Sequence, residues 1–356
     1  MTVRTLLAVL ALAAPLRAAP RADPEKALRQ AVWSGHFREG ASEYERLVRE
    51  GRAPTPQASY LAGLALFRLN RFEDARPLLT RAADAGFRAG GGRPQPGELV
   101  EKIEGYLAVK PPAVRVANLD PAALEVFADS SEGPNRAFLD ALPRMVALGR
   151  DVFGEPAPAR LFLFERYESL RRFYDALGIK GTRSTGTAGF VVVCAETARR
   201  RTQELTLSME LHELGHAWVA GYLRARYDRG PRMPVYMTEG LAVYVSTLWD
   251  ERLAGVAVER TRGLAARGTP PPAFESLEKH DTFHEPGASQ ANYLLAGLLM
   301  ERLLGPAREG AKKIPSVLDA LAREDDAAAA WRAATGKDVQ REYDALVADY
   351  WRGRTR

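Results

Sequence analysis

One cysteine, Cys194, is present in 356 residues. A single thiol closes no intramolecular disulfide and builds no cysteine-rich zinc site. Its place in Phe190-Val191-Val192-Val193-Cys194 reads as a buried strand, so a core cysteine is expected rather than a nucleophile. Histidine is almost as scarce, at five residues, which makes any spacing among them informative. Long apolar runs are missing too: after Leu16 no segment offers the ~20 apolar residues that a membrane-spanning helix needs. Nor is charge of one sign in strong excess. Against 45 Asp and Glu stand 50 Lys and Arg, for a formal net charge of +5. No basic run with interleaved aromatics supports nucleic-acid binding. With 46% hydrophobic and 27% charged residues, wholesale disorder and fibrous repeats are excluded. At ~100–200 residues per domain the length suggests two or three domains.

The first residues read as a leader. Met1 to Arg4 is positively charged, Thr5 to Leu16 is apolar, Pro15 breaks any helix, and the small residues Ala18 and Ala19 come next. This is the plan of a secretory signal peptide over residues 1–18, cleaved near Ala18 or Ala19. The apolar stretch is too short for a membrane span, and no cysteine near the cleavage site offers a lipid anchor. An exported chain, periplasmic or extracellular, is expected.

Residues 24–110 read as wholly helical. Tyr60 to Ala75 holds a helix, a tight turn at Asn70 and a second helix, and Gly63, Ala75, Leu79 and Ala82 stand at the small and apolar spacings of a tetratricopeptide repeat. A weaker copy, Gly35 to Gly40, precedes the Asn70 turn by about 35 residues. Fewer than three repeats do not easily hold a solenoid. The expectation is therefore a short tetratricopeptide-like helical module, capped by a helix near Glu98 to Val109 and leaning on the C-terminal remainder of the chain. It serves either as a spacer or as a groove for a protein partner. The stretch 90–97 is a loop, and Pro111-Pro112 marks the boundary.

Beyond that boundary, over residues 112–350, the pattern changes. Val114 to Val116 and Leu124 to Phe127 are short β-type runs, Ala159 to Phe164 and Gly189 to Cys194 read as strands, and Arg136 to Phe153 and Glu165 to Leu177 as helices. From Ala198 onward the chain is helical. Strands first and helices afterwards predict an α+β domain.

The chemistry is concentrated in Leu211-His212-Glu213-Leu214-Gly215-His216-Ala217-Trp218. On a helix, residues i and i+4 share a face, so the imidazoles of His212 and His216 can meet one Zn²⁺. Glu213 is rotated to the side, where a carboxylate can take a proton from a water at the metal. The apolar residues Leu211, Leu214, Ala217 and Trp218 predict that this helix is buried. Some twenty residues later comes Tyr236-Met237-Thr238-Glu239-Gly240-Leu241-Ala242. Pro234 suits the first turn of a second helix, from which Glu239 projects as a third ligand. Two His and one Glu leave the fourth tetrahedral position open, as a hydrolytic site requires. Gly240 and Ala242 are small, as expected where this helix packs close to the first.

Over residues 112–350 the sequence resembles the gluzincin metallopeptidases, and especially the peptidase-MA-like domains. His212, Glu213 and His216 match the family's His-Glu-x-x-His, and Tyr236, Glu239, Gly240 and Ala242 its aromatic-x-x-Glu-Gly-x-Ala segment. Thr187-Ala188-Gly189-Phe190 looks like the strand at the edge of the family's cleft, and Ala334-Thr335-Gly336-Lys337-Asp338 like its C-terminal helical part. The resemblance implies a thermolysin-like fold, with a small mixed sheet, an active-site helix and a helical C-terminal part. It also implies one Zn²⁺ per chain held by His212, His216 and Glu239, and a peptide or protein substrate. Related gluzincins place a tyrosine at the start of a later helix, its hydroxyl pointing at the zinc; Tyr293 matches it, as an oxyanion donor or as an ordinary core residue. The substrate-anchoring Gly-x-Met-Glu-Asn of the aminopeptidase branch is absent, which leaves cleavage specificity open. His280 and His284, also spaced i, i+4, sit in a segment with Pro, Glu and Asp and read as solvated, at most lining the cleft. The expected function is an exported zinc metallopeptidase with Glu213 as general base. The alternatives are a repeat-bearing scaffold whose peptidase-like domain retains zinc without turnover, and a zinc hydrolase acting on a non-peptide amide.

Overall fold

A computed structural model describes residues 24–121, 123–154, 158–179, 185–187, 189–198, 203–227, 232–324 and 326–351. The expected leader, residues 1–18, lies outside them. The described residues begin with five helices: α1 (Pro24–Trp33), α2 (Phe37–Arg49), α3 (Pro56–Arg68), α4 (Phe72–Asp84) and α5 (Pro96–Val109). Thr55 starts α3, its hydroxyl accepting a hydrogen bond from the Ala58 N–H, and Pro56 fills the first turn, where its missing donor costs nothing. Asn70 takes the left-handed backbone (φ 60) that reverses the chain between α3 and α4. The two helices touch where Gly63 faces Leu79: a Cβ at Gly63 would lie 2.7 Å from Leu79 Cγ. The small residue at this position is therefore a packing requirement.

Next come three parallel strands, β1 (Leu124–Ala128), β2 (Ala159–Phe164) and, after a short antiparallel edge strand β3 (Thr185–Thr187), β4 (Phe190–Cys194). The order across the sheet is β1-β2-β4-β3. Helix α6 (Gly133–Phe153) connects β1 to β2, and α7 (Tyr167–Leu177) comes after β2. Alternation along the strands divides the sheet into two faces. Val126, Leu161, Leu163, Val191 and Val193 belong to the core shared with α6 and the later helices. Phe127, Phe162, Phe164, Phe190, Val192 and Cys194 belong to a second core, with α7 and the N-terminal helices. Phe162 lies at its centre, with ring centroids 5.0 Å from Phe127, 4.9 Å from Phe173 and 4.9 Å from Phe190. Both faces are covered, which is why β2 and β4 read as nearly unbroken apolar runs. Cys194 is buried, as its sequence context predicts.

Two differences from the sequence reading have local causes. Val114 to Val116 forms no strand; a single bridge joins Ala113 to Phe127, and the Val114 N–H donates to Val126 O at 2.8 Å. The Pro111-Pro112 pair supplies no N–H donor on its side of that contact. The edge strand is β3, Thr-Gly-Thr at 185–187, and not Thr187 to Phe190 as the resemblance suggested: Thr187 ends β3 and Phe190 begins β4, and three residues without apolar alternation give no strand pattern of their own.

The remainder is helical: α8 (Gln203–Arg226), α9 (Val235–Ser246), α10 (Arg252–Ala266), α11 (Phe274–Glu278), α12 (His280–Phe283), α13 (Ser289–Leu304), α14 (Ala307–Gly310), α15 (Ile314–Glu324), α16 (Ala327–Thr335) and α17 (Val339–Tyr350). Helix α8 lies against α6 and the sheet, with Gly149 of α6 admitting the Trp218 indole; a Cβ there would come within 2.7 Å of the ring. Gly336 (φ 72) ends α16, and the Asp338 carboxylate accepts the Arg341 N–H to start α17. Among the described residues no helix is long and apolar enough to cross a membrane.

One ionic node ties the helical module to the sheet. Glu73 of α4 receives Lys110 Nζ at 2.7 Å on one oxygen and Arg160 of β2 at 2.7 Å on the other. Burial pushes the Glu73 carboxyl up, but these two hydrogen bonds outweigh it and hold the group down at about 2. A depressed carboxyl contributes stability above its unfolded value of 4.5, and that contribution is lost as pH falls toward 2. The stability difference between wild type and Glu73→Gln, from urea unfolding, should therefore be largest near neutral pH and vanish by about pH 2. A difference independent of pH would show that the Glu73 charge does not hold the junction.

Candidate metal centre

Helix α8 carries His212, Glu213 and His216 into the interior. The two imidazoles, one turn apart, stand with ring centroids 4.6 Å apart at an interplanar angle of 88°, and their Nε2 atoms converge to 3.0 Å. Helix α9 brings the third group. It starts after Pro234, whose carbonyl accepts the Met237 and Thr238 N–H groups, and Glu239 projects from it toward the two rings. Glu239 Oε2 lies 3.3 Å from both His212 Nε2 and His216 Nε2. Small residues line this helix crossing. Gly215 of α8 faces Ala242 of α9, and a Cβ at Gly215 would stand 3.4 Å from the Ala242 Cα. On the other side of α9, a Cβ at Gly240 would meet the Ala296 carbonyl oxygen of α13 at 2.8 Å.

The three atoms form a triangle with edges of 3.0, 3.3 and 3.3 Å. Ligand atoms ~2.0–2.1 Å from a tetrahedral zinc stand about 3.3 Å from one another. The triangle therefore has the size of one face of a zinc tetrahedron. Glu239 Oε2 is also buried without a well-formed hydrogen bond among the described residues, which an ion at this position relieves. The electrostatics point the same way. Burial raises the Glu239 carboxyl, yet the two histidines hold it well below the usual carboxylate range, and Glu239 in turn pushes His216 up against the effect of its own burial. Two neutral imidazoles and one carboxylate are the donors that zinc prefers.

Glu213 sits beside the triangle. Burial pushes its carboxyl upward, His212 and His216 oppose the shift, Glu239 adds to it, and a hydrogen bond from the Gly186 backbone N–H opposes it. The net rise makes Glu213 a stronger base. Strand β3 holds it from the edge of the sheet: a Cβ at Gly186 would lie 1.9 Å from the Glu213 carbonyl oxygen, so β3 lies this close to α8 only with glycine at that position. Tyr293, on α13, has its ring centroid 6.1 Å from that of His212 and 5.0 Å from that of the buried Phe283. The structure thus brings together all five residues that the sequence singles out: His212, Glu213, His216, Glu239 and Tyr293.

Two further residues stand at or near the centre: His284, which the sequence reading takes as solvated or at most lining the cleft, and Glu210, which it does not single out. His284 lies just after α12, a short helix where the sequence suggested a loop, and its Nε2 stands 3.9 Å from Glu239 Oε1. Burial lowers its basicity, His280 and His216 add to the effect, and Glu239 opposes it. The only signal in the sequence was the i, i+4 spacing with His280, which is itself largely exposed. Glu210, on α8, is buried with one oxygen unpartnered among the described residues, and burial pushes its carboxyl up to about 8. Nothing in its local sequence sets it apart.

A cavity of about 1100 Å³ opens beside His212 and Glu213, with walls that include Met209, Val243, Val256, Leu294 and Leu298. Its sides come from α8, α9, α10 and α13.

No family model matches the chain, and no curated protein matches it. Among solved structures, an M1 zinc metallopeptidase from Deinococcus radiodurans is similar at a TM-score of 0.39 and 16% identity, over 69% of this chain and 52% of that one. The chain spans about half the length of that protein.

The contact between β3 and α8 yields a direct test. Gly186→Ala forces the strand away from the Glu213 carbonyl and should destabilise the protein by ~1–3 kcal/mol in chemical denaturation. An unchanged unfolding midpoint would show that β3 does not need this close approach.

Proposed function

We propose that this chain is an exported, periplasmic or extracellular, zinc metallopeptidase that hydrolyses peptide bonds with Glu213 as general base, and that it binds one Zn²⁺ through His212, His216 and Glu239. The observation that carries this reading is the triangle of donor atoms at tetrahedral-face spacing, with a buried carboxylate of raised basicity next to it. Three protein donors leave a fourth position for a reactant, whereas a structural zinc is closed by four side chains. This favours turnover over the scaffold alternative. Zinc in such a site supplies a Lewis acid that polarises a carbonyl and makes water acidic near neutral pH. Glu213 takes the proton of the attacking water and passes it to the departing nitrogen, whose expulsion needs that proton. Tyr293 lines the same cavity, and in this reading its hydroxyl donates a hydrogen bond to the oxyanion that develops on the attacked carbonyl. The volume of about 1100 Å³ and the apolar walls of the cavity suit a peptide segment rather than a small polar amide. The helices of residues 24–110 form a tetratricopeptide-like module in this reading, available to a protein partner on its exposed side.

Glu213→Gln keeps size and hydrogen bonding but accepts no proton. Metal content and melting temperature should stay nearly constant while cleavage of a peptide library falls by at least ~10²-fold. His216→Ala should instead lose the metal, read by elemental analysis after dialysis. Undiminished cleavage by Glu213→Gln, or stoichiometric zinc in His216→Ala, would overturn the proposal.

Tyr293→Phe separates the two roles left open for that residue. As an oxyanion donor, its loss should lower kcat by ~10²–10³ with KM little altered. A kcat within a few-fold of wild type would return Tyr293 to packing.

A further inference from the structure

The two oxygens of Glu239 face different partners. Oε2 turns to His212 and His216 at 3.3 Å, and Oε1 turns to His284 Nε2 at 3.9 Å. The turn that presents His284 is firmly built. Phe283 is fully buried. The Asn292 side-chain amide, buried in the first turn of α13, donates to the Phe283 carbonyl at 2.8 Å and to the Thr282 carbonyl at 3.3 Å. The Thr282 hydroxyl donates to the Ser276 carbonyl at 2.8 Å and ties α12 back to α11. The His284 ring is then flanked by Phe283 and Tyr293, with centroids at 5.1 and 5.8 Å. A histidine that served only as a polar surface residue would need none of this anchoring.

We propose that His284 is a positioning residue of the metal centre: its imidazole N–H engages Glu239 Oε1 and so holds Oε2 toward His212 and His216. The inference rests on the metal-site reading of that triangle. At 3.9 Å the pair is beyond a direct hydrogen bond, and a shift of about 1 Å, within reach of a small side-chain torsion, closes it. Partners of this kind orient the groups that hold a metal, and their removal costs ~10–100-fold in metal affinity. His284 is not a fourth ligand in this geometry: among the described residues the group of three or more donors mutually within 4.8 Å is His212, His216 and Glu239, without His284. The site therefore keeps its open position, and His284 acts through Glu239.

The test measures zinc affinity by competition with a chromogenic chelator, on the full chain, for wild type, His284→Ala, His284→Gln and His280→Ala. Glutamine places an N–H donor near the position of the imidazole Nε2. His284→Ala should bind zinc ~10–100-fold more weakly, His284→Gln should recover most of that loss, and His280→Ala should match wild type. The visible spectrum of the cobalt-substituted protein should change in His284→Ala and return in His284→Gln, because it reports the coordination sphere directly. An affinity of His284→Ala within twofold of wild type overturns the inference. So does an equal loss in His280→Ala, which would trace the effect to the turn rather than to the Glu239 contact. Failure of wild type to bind zinc at all would overturn the metal-site reading itself, and this inference with it; wild-type binding with an unaltered His284→Ala overturns only the inference.

Discussion

Two glycines, Gly240 on α9 and Gly297 on α13, set the close approach of those two helices, and with it the position of the helix that carries Glu239. A Cβ at Gly240 would meet the Ala296 carbonyl oxygen of α13 at 2.8 Å, and on its other side α9 lies against α8, where Gly215 and Ala242 are in ordinary contact. A side chain at Gly240 would shift α9 relative to α13, and a displacement of even ~1 Å would distort the triangle of His212, His216 and Glu239 away from the edges of a zinc tetrahedron. Gly297 on α13 plays the same part against Val243, where a Cβ would come to 2.5 Å. Helix packing of this kind tolerates little adjustment, because interiors are close-packed and side chains already occupy their rotamer minima.

A second constraint acts through the sheet. Its outer strand β3 supports Glu213, and its central strands are buried on both faces, so the sheet holds its position only while both layers are in place. The N-terminal helices supply one of those layers. Phe162, Phe173 and Tyr106 join the module to the strands in one aromatic cluster, and Glu73 pins the same junction at the surface. A chain of packing thus runs from the helices of residues 24–109 through the sheet and β3 to Glu213. Loss of the module would expose the apolar face of the sheet, and the effect would reach Glu213 without any direct contact.

The electrostatics explain why so many ionisable groups are tolerated at one buried place. Glu239, His212 and His216 compensate one another and together suit a cation, whereas Glu213 is kept more basic by burial with only partial compensation. Similar side chains thereby acquire different properties, one carboxylate held below the usual range and its neighbour pushed above it, because one faces two imidazoles and the other faces the strand edge and the cavity.

By itself the sequence picked out His212, His216 and Glu239, the three residues that the structure brings together. His212 and His216 had to share a helical face because about 3.6 residues make a turn, and Ala242 announced the close crossing with α8, whereas Gly240, expected at the same crossing, packs against Ala296 of α13 instead. The strands β2 and β4 were legible for a related reason: a sheet buried on both sides leaves continuous apolar runs. What only the tertiary structure decided lies where local pattern carries no information. Strand β3 is too short and polar to be read, yet its backbone positions Glu213. His284 looks like a solvated loop histidine until α12, anchored through Phe283 and Asn292, turns it toward Glu239. That the N-terminal helices lean on the rest of the chain was expected, but that they close one face of the sheet was hidden, because periodicity tells which residues are buried and not which element, 90 positions away in the chain for Arg160 and Asn70, comes to cover them.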